Sequence, residues 1–218
     1  MDRLIGMGQR TSGLRSVLSV PAIYEGFQWV VGSSRVRQTF VEVHLRPEPG
    51  QRVLDIGCGP GGILEHLPGV DYHGIDPSEA YIESARQQYG DRGTFEVAGI
   101  DDVDADALGR FDLVMAKGVL HHIDDAPARR LFDVAARVMA PGGRLLTLDL
   151  GLVEGQSRAS RFVVRRDRGR NLRSDHELEA LASERFDRVD VTIYHDLLRI
   201  PYTHLVLECA EPSAASEG

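Results

Sequence analysis

Cysteine and tryptophan are scarce in this chain, with two and one respectively among 218 residues, and aromatic residues reach only 6%. Cys58 and Cys209 lie far apart and are too few for a disulfide framework, which points to reduced thiols in a cytoplasmic protein. Neither they nor the eight histidines fall at a zinc-ligand spacing, so no metal site is expected. A run of about eighteen apolar residues is missing, and with it any helical membrane span. A basic start followed by a long apolar core is missing too, so no signal peptide is expected. Lys and Arg number 25 against 33 Asp and Glu, for a formal charge of −8. That balance argues against a general nucleic-acid binder, which would carry a basic surplus. Internal repeats and long low-complexity stretches are absent.

What remains is an ordinary globular composition, 42% hydrophobic and 27% charged, in a length that suits one α/β domain with an added cap. The most informative stretch is residues 53–62, VLDIGCGPGG. It reads as a buried strand ending in an acidic residue, followed by a glycine turn that opens a helix. Gly57 and Gly59 lack Cβ atoms where the backbone must turn tightly and let a ligand approach. About twenty residues on, a second apolar strand ends at Asp76, placed to take both hydroxyls of a ribose. The combination indicates a nucleoside cofactor.

The glycines alone leave two cofactor classes open, because Gly57, Gly59 and Gly62 also satisfy the dinucleotide fingerprint. Asp55 separates them. A pyrophosphate at a helix N-terminus would be repelled by that carboxylate, whereas a ligand bearing an ammonium and a sulfonium would be attracted. S-adenosylmethionine carries both and has no phosphate.

On these residues the chain resembles the class I S-adenosylmethionine-dependent methyltransferases. The glycine motif is matched by residues 53–62 and the second-strand acidic motif by residues 72–78, YHGIDPS. Residues 111–115, FDLVM, followed by Leu120, His121 and His122, resemble the fourth strand and its turn. Residues 138–146, VMAPGGRLL, resemble the helix end and fifth strand, so the likeness spans roughly residues 50–150. It implies a Rossmann-like, doubly wound, seven-stranded α/β sheet, mostly parallel with an antiparallel last strand. It also implies S-adenosyl-L-methionine as cofactor and methyl transfer to oxygen, nitrogen or carbon of a small molecule.

Pattern reading along the chain agrees. Strands are expected near 52–56, 71–75, 94–98, 111–116 and 143–150, and helices near 60–66, 78–88 and 127–139. This alternation implies a parallel sheet with helices on both faces. Residues 186–194 and 202–210 read as strands whose short connection favours an antiparallel hairpin over a parallel crossover. The chain is read as a single domain over 1–218: an N-terminal helical lid at 1–46, a cofactor-binding core at 50–150, an Arg-rich cap insertion at 151–175, and a C-terminal helix and hairpin at 176–210.

The resemblance assigns cofactor contacts to Asp55, Gly57, Cys58, Gly59, Asp76 and Pro77. Asp76 has an alternative role as a cap for the following helix. The pattern departs from the family near Gly99, where many relatives carry an acid for the adenine amino group. Here the acid is shifted, so Gly99 and Ile100 backbone or Asp101 are the candidates. Lys117, read as exposed and therefore protonated, is placed beside the cofactor rather than as a base. His122, and after it His121, are the candidate proton acceptors at the end of the fourth strand; the alternative is that one orients the loop while the other packs. Substrate contacts are assigned to Tyr24 and Gln28 in the lid, Arg165 in the insertion, and Tyr202 and His204 near the last strand. The insertion's arginines either select an anionic group or form a solvated helix paired with surface acids. No Asn/Asp-Pro-Pro-Tyr-like segment follows the fourth strand, which speaks against methylation of DNA bases. An NAD-dependent oxidoreductase and a cofactor-binding protein without methyl transfer are the other readings. Expected partners are a small molecule, with no nucleic acid and no membrane; the sequence sets no oligomeric state.

Overall fold

The computed structural model describes residues 33–165 and 171–213. Eight strands occur among them: β1 (Arg52–Ile56), β2 (Asp71–Asp76), β3 (Gly93–Val97), β4 (Phe111–Lys117), β5 (Met139–Leu152), β6 (Arg173–Ser174), β7 (Phe186–Tyr194) and β8 (His204–Pro212). The sheet order is β3-β2-β1-β4-β5-β8-β7, with the short β6 paired only to the end of β5. Strands β1 to β5 pair in parallel, and β8 runs antiparallel to both β5 and β7. The expected mixed sheet with an antiparallel last strand is what the chain adopts.

Helices α1 (Ser33–Thr39), α2 (Glu79–Tyr89), α3 (Ala105–Leu108), α4 (Asp125–Val138), α5 (Arg158–Arg165) and α6 (Asp175–Ser183) flank the sheet. The central strands are apolar on both sides because both faces are covered. Along β1, Leu54 and Ile56 pack with Ala128, Leu131, Phe132 and Val138 of α4 on one face. Val53 packs with Phe40, Leu64 and Ile82 on the other. The α4 residues recur at helical spacing and form its buried stripe. Edge strand β7 instead carries exposed Asp187, Arg188 and Asp190, charges that discourage edge-to-edge association. The sheet winds one way from β1 to β2 and β3 and the other way from β4 to β5. A crevice therefore opens at the carboxyl ends of β1 and β4.

Three expectations shift in detail. The helix read near 60–66 is a 3₁₀ turn, Gly62–His66. Gly61 enters it in the left-handed region (φ 78°), and Pro68 disfavours a helical Leu67, so no length is left for an α-helix. Strand β5 begins at Met139, before Pro141–Gly142–Gly143, and its register to β4 jumps between Phe111 and Leu113 as those residues loop out. The N-terminal helices appear as α1 followed by a π-helical turn, Phe40–Leu45, which buries Phe40, Val41, His44 and Leu45.

Candidate functional site

The turn after β1 is tied to β2: the amides of Gly57 and Cys58 both donate to the Ile75 carbonyl, at 2.8 and 3.0 Å. Gly57 has φ 76°, and a Cβ there would lie 2.5 Å from Val119 Cγ2. Gly59, φ 56°, has nothing within 4 Å of the same position, which leaves its backbone open to a ligand. Gly62 has no positive φ and no close neighbour. The third glycine of a dinucleotide fingerprint serves close helix–strand packing, and Gly62 does no such thing here.

Register sets the rest of the row. Ile56 faces Ile75, Asp55 faces Met115, and Lys117 faces Leu148. Continuing these registers, one residue beyond Ile56–Ile75 and two beyond Asp55–Met115, puts Gly57 level with Asp76 on one side and Lys117 on the other. Asp76 Oδ1 accepts from the Ser78 amide (2.8 Å) and Oδ2 from the Gly59 amide (2.9 Å). Asp76 thus locks the end of β2 to the glycine turn and keeps lone pairs on both oxygens. The cap of α2 is Ser78, whose Oγ accepts from the Tyr81 amide. Burial raises the Asp76 carboxyl above its ordinary value, opposed by those two backbone bonds.

Asp55 is 3% exposed, and Tyr72 donates its hydroxyl to Oδ2 at 2.7 Å. Its Oδ1 is buried with no hydrogen-bond partner. Burial drives the Asp55 carboxyl up to about 6, against the pull of the Tyr72 bond and the Lys117 charge. Lys117 is half-buried, not exposed as the sequence suggested, because α1 and the π-helical turn cover that face of β4. Desolvation lowers its ammonium while Asp55 and Asp149 work to keep it charged. The Cys58 thiol is pushed up by burial and by Asp55 and Asp76, which rules out a reactive thiolate; it donates to the Gly59 carbonyl.

Pro77 is exposed beside Asp76, and Gly99 leads into the 3₁₀ turn Ile100–Asp102 with Ile100 half-buried and Asp101 exposed. These residues follow β3, two strands from β1, so the chain brings Asp55, Gly57, Gly59, Asp76, Gly99 and Ile100 to one sheet edge.

After β4, His121 and His122 lie in the 3₁₀ turn Leu120–His122 with ring centroids 4.0 Å apart. His121 is buried; its Nδ1 lies 2.6 Å from Asp149 Oδ1, which also accepts the His121 amide at 3.1 Å. A carboxylate at Nδ1 makes that nitrogen the protonated one and Nε2 the basic one. Asp149 Oδ2 is buried with no hydrogen-bond partner. Asp149 was not anticipated, since it stands in an apolar β5 run, 28 residues from its histidine. The loop is held from the Arg-rich insertion: buried Arg173 donates to the Leu120 and Ile123 carbonyls and pairs with Asp125 at 2.8 Å. Arg173 is thus neither a substrate contact nor a solvated surface charge.

Other residues assigned to the acceptor are placed differently. Arg165 ends α5 and is exposed. Tyr202 and His204 are buried, with rings 5.6 Å apart. His204 pairs with Leu150 and Asp149 with Leu205, so His204 and Asp149 leave the sheet on opposite faces. Beside them runs a polar chain that sequence reading missed. Gln156 donates to Ser160, Ser160 Oγ meets Thr203 Oγ1 at 2.9 Å, and His195 meets Thr203 at 3.2 Å. Tyr24 and Gln28 lie outside the described residues. No cluster of three or more metal-ligating side chains occurs among the described residues. No helix among them is long and apolar enough to cross a membrane.

The model of the methyltransferase-domain family matches residues 54–145, the segment running from β1 into β5. A ubiquinone biosynthesis O-methyltransferase of Xanthomonas axonopodis pv. citri is 32% identical over 115 residues, covering 50% of this chain and 47% of that protein. A tRNA U34 carboxymethyltransferase of Edwardsiella ictaluri is 32% identical over 118 residues, covering 51% and 36%. The chain spans about half the length, or less, of these curated relatives. Among solved structures, a phosphoethanolamine N-methyltransferase 2 of Haemonchus contortus superposes with a TM-score of 0.68 at 18% identity, covering 91% of this chain and 59% of that one. The pyocyanin biosynthetic protein PhzM gives 0.67 at 18% identity, covering 91% and 62%. The chain therefore shares the Rossmann-like fold of these two structures. Over residues 54–145 the chain is similar to the methyltransferase-domain family.

Proposed function

We propose that this chain binds S-adenosyl-L-methionine at the carboxyl edge of β1, β2 and β4 and transfers its methyl group to oxygen, nitrogen or carbon of a small-molecule acceptor. The observation that carries the reading is the pair of buried carboxylates, Asp55 and Asp76, flanking an open glycine turn. Two such groups make a poor seat for a pyrophosphate and a good one for a sulfonium with an ammonium. The residues fit that ligand: Asp55 Oδ1 is buried without a partner, as a site for the ammonium requires. Asp76 would take the ribose hydroxyls, Gly57, Cys58, Gly59 and Pro77 would line the tail and ribose, and Gly99, Ile100 or Asp101 would meet the adenine. Lys117 stands at the far side of the same row.

When bound, the cofactor supplies an electrophilic methyl carbon on a positively charged sulfur. The chain's part is to hold the acceptor in line with that carbon and to take the proton the acceptor loses. His121 fills the second role in this reading, with Nδ1 held by Asp149 and Nε2 as the accepting atom; the His122 ring lies tilted beside it. The cap insertion at 151–175, with Arg165, and the Tyr202–His204 pair would shape the acceptor side, together with the N-terminal lid that carries Tyr24 and Gln28.

The name of the Xanthomonas relative favours an O-methylated small molecule, whereas the name of the Edwardsiella relative opens an RNA acceptor. The net charge of −8 favours the small molecule. The test is incubation with methyl-labelled cofactor and a panel of phenols, amines, carboxylic acids and transfer RNA. Label in a small acceptor with matching S-adenosylhomocysteine supports the reading. Label in RNA replaces the acceptor class, and bound cofactor with no transfer to any acceptor supports a binding protein.

A further inference from the structure

The turn that carries His121 is short and is held from outside. Leu120–His122 is a three-residue 3₁₀ turn, closed by a bond from the His122 amide to the Val119 carbonyl at 2.9 Å. It has no side-chain cap, and Ile123 after it is already extended. Its carbonyls are taken by the segment that returns from the insertion. The Asn171 amide donates to the His121 carbonyl at 3.2 Å. The Arg173 guanidinium spans the same turn, reaching the Leu120 carbonyl at 2.6 Å and the Ile123 carbonyl at 2.9 Å. In β6, Arg173 also pairs with Gly151 of β5, two residues beyond Asp149. One residue therefore ties the turn bearing the histidine to the strand bearing its carboxylate.

Burying that guanidinium is costly. Arg173 is 7% exposed, while the side chain of its acidic partner Asp125 lies largely in solvent. Both stand at the first turn of α4, where the helix dipole is positive. An apolar side chain would fill the space without that cost, so packing alone does not account for an arginine here. What an arginine adds is a rigid planar fork that fixes two carbonyls at once. Those carbonyls flank His121, whose Nδ1 must stay on Asp149, 2.6 Å away, for Nε2 to be the basic nitrogen. We infer that Arg173 is a positioning residue for His121: it sets the turn so that the ring stays on Asp149, and it makes the insertion part of the proton-accepting machinery. This rests on the reading of His121 as the proton acceptor.

The experiment is NMR of protein labelled with ¹⁵N-histidine, which reads the proton on each ring nitrogen without any acceptor; His121→Gln assigns the signal. Wild type should show His121 as the single Nδ1-protonated tautomer, its proton shifted far downfield by Asp149. Arg173→Met should erase that downfield proton and mix the two tautomers. It should also lower kcat for methyl transfer about ten- to hundredfold, with the cofactor KM and S-adenosylhomocysteine affinity little changed. Arg173→Lys keeps the charge but not the fork, so it should fold even where the methionine variant does not and retain part of the signal. A wild type without the Nδ1 tautomer overturns the inference, as does an unchanged His121 signal in the variants that fold. Parallel loss of S-adenosylhomocysteine affinity overturns it too, by making Arg173 merely structural. A wild type that shows the tautomer yet transfers methyl to no acceptor removes the methyl-transfer reading and leaves the placement of the ring by Arg173 standing.

Discussion

Two histidine–carboxylate pairs sit towards opposite ends of β5, and their carboxylates differ in how completely they are bonded. Near its start, His44 Nδ1 lies 2.7 Å from Glu208 and Nε2 lies 2.8 Å from the Tyr194 hydroxyl. Arg144 completes the group by donating to the His44 and Leu45 carbonyls and to Glu208. Every ring nitrogen there has a protein partner, and the result pins the π-helical turn to β5, β7 and β8. Near its end, His121 is held by Asp149 at 2.6 Å, but Asp149 Oδ2 is buried and unmatched. The first network holds structure together; the second stands at the carboxyl edge, where the proposed reading places proton transfer. The same pair of residue types is thus bonded differently at the two places.

Four variants sharpen that contrast. His121→Ala should cut methyl transfer by about 10²–10⁴-fold, the usual range for a lost general base, with S-adenosylhomocysteine affinity little changed. Equal loss of rate and affinity would make His121 structural, like His44. His44→Ala should cost about 3 kcal/mol of stability by stranding Glu208 and Tyr194, a fall of roughly 6–12 °C in melting temperature. A melting temperature within a degree or two of wild type would remove the architectural role.

Asp55→Asn tests the half-closed carboxylate on β1. Its folded-state pKa of about 6 lies above the ordinary 3.8, so the folded protein holds that proton more tightly. Asp55 therefore lowers stability as pH rises from about 4 to about 6, and above that range its buried charge costs up to about 3 kcal/mol. Asparagine still accepts from Tyr72, so the variant should melt higher than wild type at pH 7, and the advantage should vanish below about pH 4. A lower melting temperature at pH 7 would contradict the cost. Asp76→Ala comes last, with about 1–3 kcal/mol lost in S-adenosylhomocysteine affinity; unchanged affinity would end the ribose assignment.

The half of the site around β1 and β2 was legible because its signals are local. Glycines beside an apolar strand, and an acid ending the next strand, encode backbone shape and charge within a few residues. The antiparallel β8 was legible for a related reason: the short connection before β8 favours a hairpin over a parallel crossover. What escaped depends on partners distant in sequence. His44 meets Glu208 across 164 positions, and Asp149 looks like an interruption in an apolar strand until His121 folds back over it. Arg173, counted among the insertion's arginines, turns out to be a buried clamp on the histidine loop. Lys117 was read as exposed because nothing near it in sequence announces that α1 covers that face.

The central claim is that the glycine turn between Asp76 and Lys117 seats a sulfur nucleoside rather than a dinucleotide. Side-by-side titration calorimetry of the purified chain with S-adenosylhomocysteine and with NAD tests it most directly. One saturable site for S-adenosylhomocysteine and no heat with NAD is the predicted result. Saturable NAD binding with S-adenosylhomocysteine ignored would contradict it.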